Sequence, residues 1–238
     1  MLEKFIEKQY FEPGISGILV NPFYISRKNL FTAIKSFGKA ITGKTLDVGC
    51  GTKPYEHLFS SSEYVGLEIE TTINREMKKA DVFYDGTTFP FPDGEFDSVV
   101  TNQVLEHVFN PEFFMSEINR VMKKDGKLLL TVPFVWDEHE QPYDYARYSS
   151  FGLTSILKNA GFEITGLKKT ANDFRVIYQL TNAYFYKVTR NIPGLKQFTT
   201  LFICSIITLI GLLVGKIFPK NDDLFLDIVV LAKKVDNV

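Results

Sequence analysis

The stretch Lys44-Thr45-Leu46-Asp47-Val48-Gly49-Cys50-Gly51-Thr52-Lys53-Pro54-Tyr55 decides the fold. The run from Thr45 to Val48 predicts a short apolar strand with an acidic residue near its carboxyl end. Gly49 and Gly51 allow the backbone angles and close approaches of a tight turn. Pro54 suits the first turn of a helix over residues 54–59. A strand, a glycine turn and a helix in this order predict a ligand pocket at the carboxyl edge of a parallel sheet.

The glycine turn indicates what kind of ligand this pocket takes. A P-loop needs a Gly-Lys-Ser/Thr ending, which is absent here, and a dinucleotide fingerprint needs a third glycine, which is missing from the Thr52-Lys53-Pro54 that follows Gly51. The Asp47 carboxylate would also repel a phosphate. It suits a ligand that carries a positive charge.

The next strands also end in acidic or amide residues. Residues 64–69 predict a second strand with Glu68 at its tip, about twenty residues after the turn, where a carboxylate can accept both hydroxyls of a ribose. Glu70 is the rival for this role, but it lies beyond the apolar alternation. Residues 80–85 predict a third strand that ends at Asp85. A fourth over 98–101 runs into Asn102.

Composition narrows the class of protein. The 238 residues are 45% hydrophobic and 23% charged with a net charge of -1, so we expect a packed core and no nucleic-acid surface. Cys50 and Cys204 form neither a disulfide framework nor a metal spacing, and we expect no metal. A reducing, cytoplasmic location is the default. The first residues show no signal peptide.

The motifs over about residues 45–109 resemble those of class I S-adenosylmethionine-dependent methyltransferases. The resemblance rests on Asp47-x-Gly49-Cys50-Gly51 and on Asp85…Phe89-Pro90-Phe91-Pro92-Asp93-Gly94-x-Phe96-Asp97…Leu105-Glu106-His107. It implies an α/β, Rossmann-like, doubly wound sheet of seven strands whose last strand is antiparallel. It implies S-adenosyl-L-methionine as cofactor, held by the residues of the glycine turn (Asp47, Gly49, Cys50, Gly51), with Glu68 on the ribose. Asp85 and Gly86 would contact the adenine, and Asn102 and Gln103 would line the methyl end. Lys53 departs from the family pattern. It points either to solvent or towards the tail of the cofactor.

A polar, aromatic loop over residues 134–148 predicts the acceptor site. It resembles the His-x-x-Pro-x-Asp-Tyr-x-Arg-Tyr segment of methyltransferases that act on glycans and cell-surface polysaccharides. A hydroxyl acceptor benefits from a base, and His139 is the first candidate and His107 the second. Tyr143, Asp144 and Arg147 are candidates for binding a sugar or an acidic acceptor. The third histidine, His57, is interpreted as structural or adjacent to the cofactor.

An apolar insert is expected before the last strand. We predict a helical lead-in over 1–40, a methyltransferase domain over 41–172 and 222–238, and a helical insert over 173–221. The run from Leu201 to Val214 is shorter than the ~20 residues that span a bilayer. It predicts either a buried or dimer-forming helix, or a peripheral membrane contact through residues 196–218 that brings a lipid-linked acceptor to the enzyme.

Three functions remain open at this stage. The first is methylation of a hydroxyl on a sugar or a lipid-linked small molecule. The second is methylation at carbon or nitrogen, for example of a quinone-like lipid. The third is a catalytically silent scaffold that binds the cofactor.

Overall fold

A computed structural model describes residues 2–77 and 79–235, which form two compact units. The larger unit comprises Ile34–Phe134, Glu138–Lys168 and the chain from Ile228 onwards. The smaller unit comprises the chain up to Ala33, Val135–Asp137 and Lys169–Asp227. The predicted ranges 1–40 and 222–238 reach Met1 and residues 236–238, which lie outside the described residues. The predicted division into three ranges stays a prediction.

The sheet has seven strands in the order β3-β2-β1-β4-β5-β7-β6, and the last strand is antiparallel. In β1, Asp47 lies beside Gly66 of β2 and Val100 of β4, and both neighbours run parallel to β1. The predicted fold class is confirmed. The strands are β1 (Thr42–Val48), β2 (Ser60–Ile69), β3 (Val82–Tyr84), β4 (Phe96–Asn102), β5 (Met122–Pro133), β6 (Phe162–Lys169) and β7 (Asp227–Lys234).

Two of the helices begin at a side chain that caps them. Asn110 caps α5 (Pro111–Val121) by accepting a hydrogen bond from the Phe113 amide, and Ser149 caps α6 (Ser150–Asn159) by accepting one from the Gly152 amide. The helices are α1 (Leu2–Phe11), α2 (Gly17–Val20), α3 (Tyr24–Gly38), α4 (Thr72–Met77), α5 (Pro111–Val121), α6 (Ser150–Asn159), α7 (Arg175–Thr189), α8 (Leu195–Phe198) and α9 (Ser205–Ile217).

The helix predicted over residues 54–59 is not formed. The chain makes a single 3-10 turn at Glu56–Leu58 instead, because β2 begins at Ser60 rather than at the predicted Tyr64. Met122, which directly follows α5, begins β5. His107 lies in a 3-10 turn, Leu105–His107, after β4.

The smaller unit contains a helical hairpin. The α7 helix runs out to Thr189, the chain breaks at Pro193 and Gly194, and a second helix returns over Leu195–Ile217. We call this second helix the apolar helix; its segment Thr199–Cys204 is π-helical. It has 23 residues, its most apolar 18-residue stretch has a mean hydropathy of 2.3, and among the described residues it is the one helix long and apolar enough to cross a membrane. The helix extends beyond the run Leu201–Val214 at both ends, so the length expected from that run was too short.

Candidate active site

The side chain of Asp47 is buried beneath the glycine turn. Tyr64 donates its hydroxyl hydrogen to Asp47 Oδ2 over 2.8 Å, and only 4% of Asp47 is exposed. Burial raises the pKa of this carboxyl to about 7, and the hydrogen bond from Tyr64 opposes the shift. Asp47 thus lies close to the midpoint of its titration at neutral pH.

The glycine turn is fastened to the second strand. The amides of Gly49 and Cys50 donate to the carbonyl of Leu67 over 2.9 and 3.2 Å. Cys50 is buried, and burial raises the pKa of its thiol to about 12, so it is no nucleophile at neutral pH. The turn therefore contributes shape and backbone groups to the site.

Glu68 lies at the tip of β2, facing the turn. Its Oε2 accepts a hydrogen bond from the Gly51 amide over 3.1 Å. Its rival Glu70 is bound to Arg75, with 2.6 Å between Arg75 Nη2 and Glu70 Oε1. Of the two carboxylates, Glu68 is the one that contacts the glycine turn.

Lys53 adopts a φ of 55°, in the left-handed region that favours glycine, and its ammonium group forms an ion pair with Asp81. The two orientations expected from the sequence, towards solvent or towards the tail of the cofactor, stay predictions. Asp81 also accepts a hydrogen bond from the Gly66 amide over 2.7 Å. The lysine thus ties the turn to the segment before β3.

Asp85 and Gly86 follow β3 at the same edge of the sheet. Asp85 is exposed, and hydrogen bonds from the hydroxyl and amide of Thr87 lower the pKa of its carboxyl. A cavity of about 260 Å³ opens here. Its lining includes Ile69, Tyr84, Gly86, Thr87, His107, Phe109 and Tyr145. Gly86 and His107 therefore share one cavity.

Asn102 and Gln103 mark the end of β4. Asn102 Oδ1 is buried and accepts no hydrogen bond from the described residues. Gln103 has a φ of 57°, and its side-chain amide donates to Thr131 Oγ1 over 3.2 Å. A buried amide oxygen without a donor costs free energy unless a ligand supplies the donor, so Asn102 fits a site that binds one.

The two candidate bases meet at this edge. The rings of His107 and His139 lie edge to face with 4.8 Å between their centroids. His107 Nδ1 lies 2.9 Å from the carbonyl oxygen of Tyr143, and His107 Nε2 lies 3.8 Å from Oε1 of Glu106. The Glu106 side chain is fully buried, and one ligand atom from each of the three residues lies within 4.8 Å of the others.

Asp144 and Arg147 bind each other rather than standing apart. Arg147 Nη1 and Nη2 donate to Oδ1 and Oδ2 of Asp144 over 2.6 and 2.7 Å. This fork lowers the pKa of Asp144 to about 2. Asp144 Oδ2 also lies 3.3 Å from Nδ1 of His139. Tyr143, the third predicted acceptor residue, is 62% exposed.

Several residues of this site were not singled out by the sequence analysis. Tyr64, Asp81 and Thr131 hold predicted site residues through long-range contacts, and their sequence carries no signal for that role. Glu106 did carry a signal, because it stands directly before His107 in the Leu-Glu-His motif. His57 was the third histidine, and it lies in the 3-10 turn after β1.

Comparisons with known proteins agree with this architecture. Residues 46–130 match the methyltransferase domain family. An uncharacterised protein of Methanocaldococcus jannaschii is 27% identical over 57% of this chain and 71% of its own length. A probable S-adenosylmethionine-dependent methyltransferase of Mycolicibacterium smegmatis is 26% identical over 50% of this chain and 51% of its own, so the chain spans about half of that relative.

A solved structure extends the likeness in fold to nearly the whole chain. The phosphoethanolamine N-methyltransferase 2 of Haemonchus contortus, in complex with S-adenosyl-L-methionine, superposes with a TM-score of 0.57. That match has 19% identity and covers 99% of this chain and 60% of the nematode enzyme. With the seven-stranded sheet and the glycine turn, the domain match over residues 46–130 and these relatives support a class I S-adenosylmethionine-dependent methyltransferase.

Proposed function

We propose that this methyltransferase acts on a hydroxyl group of a sugar or of a lipid-linked glycan. The single observation that carries the proposal is the convergence of His107 and His139 at the edge of the sheet that holds the glycine turn. A hydroxyl must lose a proton to accept a methyl group, and this is the one chemical demand that a hydroxyl acceptor adds.

The residues around the glycine turn are suited to hold the cofactor. Asp47 is buried and half ionised near pH 7, which suits a cationic amino group. Glu68 and Asp85 offer carboxylates where a ribose and an adenine edge would bind. Asn102 offers a buried oxygen that lacks a donor. S-Adenosyl-L-methionine, when bound, supplies a methyl group already activated on a sulfonium, so the protein's main task is alignment.

The acceptor loop is suited to position the hydroxyl. The amides of Tyr145 and Ala146 donate to the carbonyl of Glu106 over 2.8 and 3.2 Å, which fastens the loop beside His107. The ionised Asp144 orients the ring of His139, and Arg147 holds Asp144. His139, assisted by His107, activates the hydroxyl. Tyr143 offers an exposed ring on which a sugar can stack.

The role of His139 is tested by separating turnover from cofactor affinity. His139→Ala should lower turnover by 10²-fold or more, the scale of positioned proton transfer, while the Kd for S-adenosyl-L-methionine from calorimetry stays within about twofold. His57→Ala, which removes the histidine outside this edge, is the matched control and should retain turnover at saturating S-adenosyl-L-methionine. Wild-type turnover in His139→Ala would remove this histidine from the reaction, and equal losses in turnover and affinity would make it a cofactor residue.

We further propose that the partner of the apolar helix is a lipid bilayer, on the cytoplasmic side, rather than a second subunit. Eight large apolar side chains of this helix are each 42–70% exposed. We call them the apolar face: Phe198, Leu201, Phe202, Ile206, Leu209, Ile210, Leu213 and Ile217. Only 28% of the most apolar stretch of the helix is buried. Such a patch exceeds what soluble monomers usually expose.

The hairpin is fastened at its base, and this favours insertion from one side. The Asn221 amide donates to the carbonyl of Asn172 over 2.8 Å, and Asn172 Nδ2 donates to Asp222 Oδ1 over 2.5 Å. The chain therefore enters and leaves the hairpin at one point, which favours insertion of the hairpin from one face of the bilayer over a single crossing. Lys196, Lys216 and Lys220 lie near the ends of the apolar helix, where cations favour anionic headgroups.

Vesicle flotation tests this partner. The wild-type protein should float with vesicles of anionic phospholipid, and the double variant Ile206→Glu, Leu213→Glu should lose binding more than tenfold, since each buried side chain contributes about 1.5–3 kcal/mol. Phe151→Glu is the control, because Phe151 is 85% exposed in the larger unit. Failure of the wild type to float, with a dimer by light scattering that the double variant dissolves, would assign the apolar face to a second copy.

A further inference from the structure

We propose that Glu106, His107 and His139 bind a first-row divalent cation of the manganese-to-zinc series. The cluster consists of one carboxylate and two imidazoles, whose ligand atoms lie within 4.8 Å of one another. Ligands about 2.0–2.1 Å from a tetrahedral zinc lie roughly 3.4 Å apart, so the three ligand atoms have to approach one another by at most about 1.4 Å when a cation binds.

Each imidazole is oriented as a metal ligand usually is. The carbonyl oxygen of Tyr143, 2.9 Å from His107 Nδ1, can only accept, so Nδ1 carries the hydrogen and Nε2 the lone pair. His139 Nδ1 lies 3.3 Å from Oδ2 of Asp144, which accepts, and 3.4 Å from Nη2 of Arg147, which donates, so the Asp144–Arg147 pair fixes the orientation of the second ring. A backbone carbonyl or a carboxylate behind the ring is the arrangement that fixes metal-binding histidines.

The charges around the cluster favour a dication. The carboxylate of Glu106 is fully buried, and that of Glu140 lies 3.9 Å from His107 Nε2. Asp144 adds a third negative charge, and Arg147 is its bound counter-ion. A cation between the two imidazoles would therefore be attracted by the carboxylates of Glu106, Glu140 and Asp144, which all lie beside the rings.

The ligand set also selects among cations. Two imidazole nitrogens with one carboxylate suit zinc, iron(II), cobalt or manganese, whereas magnesium prefers oxygen ligands and keeps its waters. Three protein ligands leave coordination positions open, as in catalytic rather than structural sites. The expectation of no metal was based on the spacing of the cysteines. That spacing carries no information about two histidines that the fold brings together.

This inference deepens the proposed function, and only its catalytic part rests on that function. With the cation bound, the imidazoles are ligands instead of the base. The cation lowers the pKa of an acceptor hydroxyl beside it, and the proton passes to water. The new carbon–oxygen bond forms as the carbon–sulfur bond breaks, and the bonding pair stays on sulfur. A methyl acceptor without an acidic hydrogen would gain nothing from such a site.

Metal binding is tested on the full-length protein without any turnover assay. After chelation and dialysis, cobalt(II) should bind at one equivalent and give visible absorption bands of a site with nitrogen ligands. Zinc should displace cobalt, and magnesium in large excess should not. His107→Ala and His139→Ala should each lose the bands and weaken cobalt binding at least tenfold. His57→Ala, the remaining histidine of the chain, should retain them.

The outcomes separate the metal from the methyl transfer. Cobalt that binds equally to wild type and to both histidine variants, or to none of them, would overturn the inference even if methyl transfer is observed. A folding defect is excluded by requiring that each variant still binds S-adenosyl-L-methionine. Specific cobalt binding without transfer to any hydroxyl would uphold the metal site and refute the proposed function.

Discussion

At the scale of the residue, the buried carboxyl of Asp47 is a titrating group of the proposed cofactor site. Burial raises its pKa to about 7 in the unliganded protein, above its ordinary value of 3.8. The protonated form is therefore the one that the fold prefers. The stability that the fold gains from holding Asp47 protonated is fully present below pH 4, and it is lost as the pH rises through 7. A cationic ligand reverses the preference, because it stabilises the ionised form.

We predict that the affinity for S-adenosyl-L-methionine depends on pH through Asp47. Binding to the ionised carboxylate should tighten about fivefold between pH 6 and pH 7, since a group with a pKa of about 7 loses its proton over this range. This range lies below the ordinary pKa of an α-amino group, ~7.7–8.0. Calorimetry in buffers of different ionisation enthalpy measures both the affinity and the proton release.

Asp47→Asn is the control for this prediction. The variant should bind more weakly at pH 7 and show no tightening between pH 6 and pH 7. A wild-type affinity that is flat across this range, or a slope that survives in Asp47→Asn, would mean that another group titrates.

Gly49 is a residue whose lack of a side chain the turn requires. Its φ is 70°, and a Cβ there would lie 2.4 Å from Cγ2 of Val104. Gly49→Ala should cost about 1–2 kcal/mol for the backbone and a further ~1–3 kcal/mol for the overlap. Gly94→Ala is the matched control, with a φ of 63° and open space around it. Denaturant unfolding measures both, and equal costs would contradict the overlap with Val104.

At the scale of the element, buried polar side chains hold the hairpin helix α7 within the smaller unit. Gln179 is fully buried; its Oε1 accepts a hydrogen bond from the Ser26 amide over 3.1 Å, and its Nε2 donates to the carbonyl of Pro22. Ser26 belongs to the first turn of α3, where amides lack partners within the helix. Gln179 of α7 thus caps the first turn of α3.

We predict that removing this cap destabilises the smaller unit. Gln179→Ala should lower the free energy of unfolding by about 1–3 kcal/mol, because two buried backbone groups lose their partner. Gln197→Ala makes the same deletion at an exposed position and should change it by less than about 0.5 kcal/mol. Urea unfolding followed by circular dichroism gives both values. Equal effects of the two substitutions would show that the cap carries no stability.

At the scale of the whole molecule, the sequence predicts the sheet better than it predicts the site. The glycine turn, the acidic strand tips and the order of strands follow from local patterns, and the structure has them in that order. The partners of those residues are remote in sequence. The pairing of β1 with β2 brings Tyr64 beside Asp47, and the ion pair of Lys53 with Asp81 joins the glycine turn to the segment before β3. No local pattern encodes either contact.

The acceptor site shows the same limit. His107 and His139 were each candidates, but their contact depends on a loop held by the Glu106 carbonyl. Asp144 and Arg147 were predicted to bind the acceptor. Their ion pair beside His139 depends on side-chain geometry, which the sequence does not give. The length of the apolar helix was underestimated from its apolar run, because the polar residues at both ends continue the helix.

The most direct test of the central claim is the identity of the atom that receives the methyl group. The purified protein is incubated with S-adenosyl-L-methionine carrying a carbon-13 methyl group and with a glycan and lipid extract, and the product is examined by NMR. We predict a methyl ether on a sugar or lipid-linked hydroxyl, absent with His139→Ala. A label on nitrogen or on carbon, as for a quinone-like lipid, or no transfer above the variant's level, would contradict the claim.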